Sequence, residues 1–272
     1  MKLSIIVPTI RPHNLRELWA STAKAINGRY PWEMVAIGPK NLDFVDGAGL
    51  WRFIQDEGSP CHCQQRALLD CIGEYVTWAA DDGIWLPGSL DRDWTDDAIL
   101  CKYMEGKPNL HDARWEQMDR WLRLVVNIYS RGAVGLNPDM VSLDRFWTIG
   151  YHQGAAVKSM PPESWCLCLG IIKQSVLLDV GGWNEDYETT GQGTVDLGLR
   201  LQKAGYKFAV WQHIVQALGY EPKGDEGSVM KAAYEDDMAK YKSYWFFEDC
   251  AAKLPIRPDA MQPGQPWARR AK

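Results

Sequence analysis

Short apolar runs alternate with stretches of helical spacing through the first third of the chain. Leu3 to Val7 is apolar and β-branched and is closed by Pro8, which predicts a buried first strand. Asn14 to Ile26 carries Leu15, Leu18, Ala23 and Ile26 at helical spacing and stops near Gly28, which predicts a helix. Glu33 to Ile37 reads as a second strand, halted by Gly38-Pro39. Cys63 to Ile72 reads as a helix ended by Gly73, and Tyr75 to Ala80 as a third strand. Strands alternating with helices predict an α/β fold with a mostly parallel sheet and helices on both faces. Ligands of such sheets bind at the carboxyl ends of the strands.

The pattern thins in the middle of the chain. Arg114 to Leu124 fits a helix, Val125 to Tyr129 a strand, and Met160-Pro-Pro-Glu163 a break. Cys166 to Ile172 is strand-like, and Gln174 to Val180 is a short helix closed by Gly181-Gly182. Asp196 to Ala204 is a further helix, and Lys207 to Trp211 a strand ahead of His213. Met230 to Phe247 is amphipathic and helical, and the proline-rich stretch from Pro255 reads as a loose tail. The division expected is one domain over 1–220, split near residue 90, then a helical extension over 221–254 and a tail over 255–272.

Composition narrows the function. With 272 residues, 46% of them hydrophobic and 24% charged, the chain can build a full core as one large or two small domains. Its net charge of −5 supplies no general attraction for nucleic acid. The Cys61-His62-Cys63 and Cys166/Cys168 pairs are spaced too tightly for a usual structural zinc site, so reduced thiols are expected. The opening apolar run is too short for a signal segment, and no stretch reaches the ~18 apolar residues of a membrane span. A soluble, cytoplasmic protein is expected, and peripheral contact with the inner membrane face stays compatible with the sequence.

The third predicted strand ends on Asp81 and Asp82, followed by Gly83. Two adjacent carboxylates at the end of a buried strand are costly unless a positive charge meets them or the turn lies in water. A divalent cation is one such charge.

Three segments in order carry a resemblance. Ser4-Ile-Ile-Val-Pro-Thr9, then Gly73-Glu-Tyr-Val through Asp81-Asp82 to Leu90, then Gly181-Gly-Trp-Asn-Glu185 with Asp196-Leu-Gly-Leu-Arg-Leu201, resemble family 2 of the GT-A-fold glycosyltransferases. The resemblance implies a Rossmann-like sheet with a smaller acceptor-side segment. It implies transfer of a sugar from a nucleotide-diphosphate donor, UDP-linked and with inversion, to an acceptor hydroxyl. That acceptor could be a glycan, a lipid-linked sugar, a protein or a modified nucleobase. It also implies Mn²⁺ or Mg²⁺, held by Asp82 and His213, to neutralise the leaving diphosphate. By the same resemblance Pro8, Thr9, Arg11, Gly38, Arg66, Asp81 and Asp82 face the nucleotide sugar, and Trp183, Asn184 and Glu185 face the acceptor.

The sequence also departs from the family pattern. Ala80 stands where a first metal-site carboxylate is usual, Gly38 where an acid usually meets the base, and Gln64-Gln65-Arg66 where Arg-Asn is usual. The Glu-Asp pair that supplies the general base is missing, which leaves Asp196 and Glu188 as candidates. Asp196 is also compatible with an N-cap or first-turn acid of its helix, and Glu188 with a solvated loop charge. Two other functions stay open. A nucleotidyltransferase would want a Gly-rich loop after the first strand, which Thr9-Ile-Arg-Pro-His13 lacks; a non-catalytic sugar-nucleotide or glycan-binding module would explain the missing pair.

Overall fold

Five consecutive residues without solvent exposure, Leu3 to Val7, form the body of β1 (Leu3–Pro8). Burial on both faces marks a central strand. The structure is a computed structural model that describes residues 1–41, 47–105, 145–147, 167, 169–218, 229–247 and 251–266. For 102–105, 145–147, 210–218, 229–232 and 246–247 it describes the backbone alone. The predicted helix over 114–124, strand over 125–129 and break over 160–163 lie outside the described residues.

β1 is flanked by β2 (Trp32–Gly38) and β4 (Tyr75–Trp78), both parallel to it, and β3 (Leu50–Gln55) extends the parallel half beyond β2. The second half is mixed. β8 (Leu169–Lys173) runs antiparallel to β4 and to β6 (Ala98–Glu105), while β9 (Phe208–Leu218) is parallel to β6. β5 (Gly83–Trp85) closes the far edge on β9, and β7 (Arg145–Trp147) pairs with β6. The described strands thus form one sheet in the order β3-β2-β1-β4-β8-β6-β9-β5, with β7 beside β6.

α1 (Leu15–Ile26) carries the chain from β1 outward to β2, and α2 (Pro60–Asp70) carries it from β3 back past β1 to β4. Right-handed crossovers in opposite directions place the two helices on opposite faces. The reversal opens a crevice between the carboxyl ends of β1 and β4, where ligands of such sheets bind. α2 begins at Pro60, three residues ahead of the helix expected from Cys63, because Ser59 caps it: the Ser59 hydroxyl accepts the His62 N–H at 3.3 Å.

α3 (Gln174–Asp179) ends on Gly181 and Gly182, both with positive φ. A side chain would be strained there, and it would also collide, since a Cβ on Gly181 would stand 2.1 Å from the Leu254 carbonyl oxygen. α4 (Thr190–Lys203) starts six residues before Asp196, so Asp196 is mid-helix and not the first-turn acid that the sequence allowed. α5 (Val229–Lys242), continued by a π turn over Ser243–Phe247, packs on α4. Cys61, Tyr187, Leu199, Tyr241 and Trp245 form a second buried cluster at this junction.

The stretch expected to be a loose tail is tied down as far as it is described. Within it Arg257 pairs with Asp186, and Gly264 donates its N–H to Asp56 at 3.1 Å; just ahead of it Leu254 donates its N–H to the Val180 carbonyl at 3.2 Å and Lys253 pairs with Asp179 at 2.6 Å. Among the described residues, no helix is long and apolar enough to cross a membrane.

Candidate functional site

Thr9 and Arg11 follow β1, and Asp81 and Asp82 follow β4; all four meet at the crevice. The Thr9 hydroxyl donates to Asp81 Oδ2 at 2.7 Å and accepts the Arg11 N–H at 2.9 Å. Arg11 Nε donates to Asp81 Oδ2 at 3.2 Å, Arg11 Nη2 bonds Asp81 Oδ1, and Nη2 lies 3.4 Å from Asp82 Oδ2. The positive charge facing the acidic pair is therefore a guanidinium of the chain itself.

The two carboxylates are not equivalent. Asp81 is buried with both oxygens engaged, whereas the Asp82 side chain keeps 22% of its exposure. Desolvation raises the Asp82 pKa above its ordinary value; Arg11 opposes that shift and the Asp81 charge adds to it. A partly exposed, poorly solvated carboxylate suits a hard cation. Mg²⁺ in particular needs only one or two protein carboxylates when substrate phosphates and water complete its shell. Among the described residues, no three His, Cys, Asp or Glu side chains group closely enough to cage a metal by themselves. His213 lies on β9, and its side chain is outside the described residues. Cys61, Cys63, Cys71 and Cys101 are buried free thiols.

Gly38 closes β2 beside this crevice. A Cβ there would stand 1.9 Å from the Thr9 carbonyl oxygen, so the packing of β1 against β2 excludes any side chain, acidic ones included. The acid of this wall comes from the next strand. Asp56 follows β3, donates its N–H to the Gly38 carbonyl at 3.0 Å, and accepts the Gly58 N–H at 2.7 Å in a tight Asx turn. Arg66 bonds Asp56 and, at 3.1 Å, the Gln55 carbonyl. Arg66 is thus bound into the wall.

His62 links this wall to the opposite half of the chain. Its Nδ1 lies 2.6 Å from Glu185 Oε1, a hydrogen bond, and its Nε2 lies 3.5 Å from Asp56 Oδ2, an ion-pair contact. Asp56 first and Glu185 second push the His62 pKa up to about 9. Burial alone would raise Asp56, but His62, Arg66 and the N–H groups of Gly58 and Gly264 outweigh it and hold that carboxyl well below its usual range.

A raised histidine pKa stabilises the fold fully below the unfolded value of 6.5, and that contribution is lost as the pH rises to about 9. The melting temperature should therefore decline across this window, by a loss on the order of 3 kcal/mol at most. In His62→Gln that part of the decline should vanish. A variant melting profile parallel to the parent's across the window would show that His62 does not titrate there.

On the other side of the crevice the predicted acceptor residues are less open than the sequence suggested. Trp183 is buried and meets Trp78 edge-on, with ring centroids 5.2 Å apart, so it belongs to the core. Asn184 is buried and accepts the Asp186 N–H at 3.0 Å. Glu185 is held by His62. Asp196 has no solvent exposure. Arg200 Nε donates to its Oδ2 at 2.8 Å and Trp245 Nε1 to its Oδ1 at 2.9 Å. Both oxygens are committed inside the protein, which corrects the expectation that Asp196 could take a proton from an acceptor.

Glu188 is half-buried in the loop that enters α4. Asp237 of α5, itself fully buried, accepts the Glu188 N–H at 3.0 Å and the Thr189 N–H at 2.6 Å. It thereby fixes the backbone at the entry to α4, whose N-cap residue Thr189 makes no side-chain cap. The site of the missing Glu-Asp pair holds Gln192, buried and accepting from the Thr189 hydroxyl at 2.9 Å. Sequence reasoning missed Asp56, His62 and Asp237. Only Asp56 had a local signal, in Asp56-Glu-Gly58, which is turn chemistry.

No family model matches the chain, and no curated protein sequence does. Solved structures do. Residues 1–349 of TarS from S. aureus, in complex with UDP-GlcNAc, superpose over 89% of this chain with a TM-score of 0.50 at 14% identity. The fold is GT-A. A mannosyltransferase from Pyrobaculum calidifontis, with GDP-Man and Mn²⁺, matches over 88% of this chain with a TM-score of 0.48 and 15% identity. GalNAc-T7 with UDP, GalNAc and Mn²⁺ matches over 89%, with a TM-score of 0.48 and 10% identity. This chain spans 65%, 61% and 50% of those three chains respectively.

Proposed function

We propose that the protein is a divalent-metal-dependent glycosyltransferase that takes a sugar from a nucleotide-diphosphate donor, UDP-linked, to an acceptor hydroxyl with inversion. The observation that carries this reading is the meeting of Thr9, Arg11, Asp81 and Asp82 at the crevice between β1 and β4 of a GT-A sheet. The complex of TarS with UDP-GlcNAc supports it by analogy of fold.

Asp82 would hold the cation, with His213 as a second ligand, and the cation supplies charge neutralisation at the departing diphosphate. Thr9 fixes Asp81, and Asp81 orients Arg11, a second positive group for the phosphates. Pro8 and Gly38 end β1 and β2 at this crevice, on the side where the nucleotide would lie. Glu185 shapes the acceptor side through its bond to His62. A thermal-shift screen of UDP- and GDP-sugars, with and without Mn²⁺, tests the reading: one donor should stabilise the protein only with the metal.

Glu188 is the proposed base, because Asp196 is sealed in the core and Glu185 is paired with His62. Glu188→Gln should lower turnover by ~10²–10⁴-fold, the usual contribution of general base catalysis, with donor affinity little changed. Full turnover in that variant would remove Glu188 from the mechanism. The buried Gln192 in place of a carboxylate favours one second reading, a module that binds the nucleotide sugar without transferring it. Donor binding with no release of nucleoside diphosphate would select it.

A further inference from the structure

We infer that Arg11 is a resident counter-ion of the Asp81-Asp82 pair, which gives way when a metal and a nucleoside diphosphate bind together, so that the metal binds poorly without the nucleotide. This deepens the proposed function and rests on it. The guanidinium occupies both oxygens of Asp81, directly or beside Thr9, and its Nη2 stands 3.4 Å from Asp82 Oδ2. With Arg11 in place, a cation approaching Asp82 meets one net negative charge instead of two. It also meets a like charge within contact distance, a repulsion that the partly buried setting screens weakly.

A diphosphate changes this balance. It offers Arg11 a planar, bidentate anionic partner of the kind guanidinium prefers. Release of Arg11 toward the phosphates returns Asp81 and Asp82 to the cation. The Arg11 side chain can move this way because it leaves from the loop after β1 and is 31% exposed, while the backbone stays fixed, its N–H on the Thr9 hydroxyl at 2.9 Å and its carbonyl accepting the Asn14 N–H at 3.0 Å. Metal and nucleotide should therefore bind with positive coupling, which by linkage is felt equally by both.

Calorimetry with Mn²⁺ alone tests the inference, with UDP and GDP as the nucleotides in parallel titrations. The parent should bind Mn²⁺ weakly by itself and about tenfold or more tightly beside the matching nucleotide. Arg11→Gln should bind Mn²⁺ alone about tenfold tighter than the parent does, with the coupling to nucleotide largely gone. Arg11→Lys, which keeps the charge without the fork, should stay close to the parent for Mn²⁺ alone. Melting curves check the fold independently: Arg11→Gln should melt lower than the parent without metal and gain more from added Mn²⁺. If Arg11→Gln binds Mn²⁺ alone no better than the parent, and the parent binds Mn²⁺ with nucleotide, the counter-ion role is wrong and the proposed function stands. If the parent binds neither Mn²⁺ nor either nucleotide, the proposed function fails and the inference with it.

Discussion

Arg200→Met is expected to destabilise the fold by about 3–5 kcal/mol, the cost of leaving a buried charge without its partner. Asp196 and Arg200 are both fully buried, so the carboxylate would be left in the interior without its charge partner. Arg200 also donates to the Val180 carbonyl at 2.7 Å and the Gly182 carbonyl at 2.6 Å. It thus ties α4 to the turn after α3, the turn on which the C-terminal strap docks. A typical domain has a net stability of about 5–15 kcal/mol, so this substitution removes a large part of it. Urea unfolding should show the midpoint moving far down, and Asp196→Asn should move it in the same direction. The same pair of variants separates structure from chemistry. Per folded molecule, Asp196→Asn should keep its turnover. A variant with parental stability and no turnover would restore Asp196 as the base.

The half of the fold made of locally patterned segments was readable. β1, α1, β2 and β4 announce themselves by apolar runs and helical spacing, and the Asp81-Asp82 pair by its place after a strand. Elements that depend on distant partners were not readable. β3 is a half-exposed edge strand interrupted by Arg52, whose guanidinium is met by distant residues, Glu33 on β2 at 3.1 Å and Asp70 at the end of α2. The first turns of α4 contain Gly191 and Gly193, poor helix formers. The segment that leads into them is fixed from a distance: Asp237, far along the chain, accepts the Glu188 and Thr189 N–H groups just ahead of the helix, and the Cys61 thiol donates to the Thr189 carbonyl at 3.1 Å. The proline-rich C-terminal stretch has no periodicity, and what holds it is a pair of single contacts, Arg257 with Asp186 and Gly264 with Asp56, after Leu254 and Lys253 just ahead of it are tied to Val180 and Asp179.

The candidate site divides in the same way. The carboxylates of the turn after β4 could be named from local sequence. Their counter-ion, Arg11, comes from a different strand end, and the role of each acid in the 185–196 segment depends on burial. Asp196 sits in a family-like pattern and is nevertheless a core residue. Glu188 has no pattern at all and remains half-buried.

Asp82→Asn is expected to abolish metal-dependent donor binding while leaving the fold intact. Amide for carboxylate keeps the shape and removes the charge that a hard cation needs. The fold should tolerate it, because Asp82 is the less engaged member of the pair and burial already disfavours its ionised form. The direct measurement is the Mn²⁺-dependent release of nucleoside diphosphate from a panel of UDP- and GDP-sugars, for the parent and for Asp82→Asn side by side. The parent should release nucleoside diphosphate from one donor class and only with the metal, and the variant should lose ~10²-fold or more of that release, a scale at which electrostatic stabilisation of a leaving group commonly operates. Equal release by parent and variant, or release by the parent that is indifferent to Mn²⁺, would rule out a catalytic metal held by Asp82.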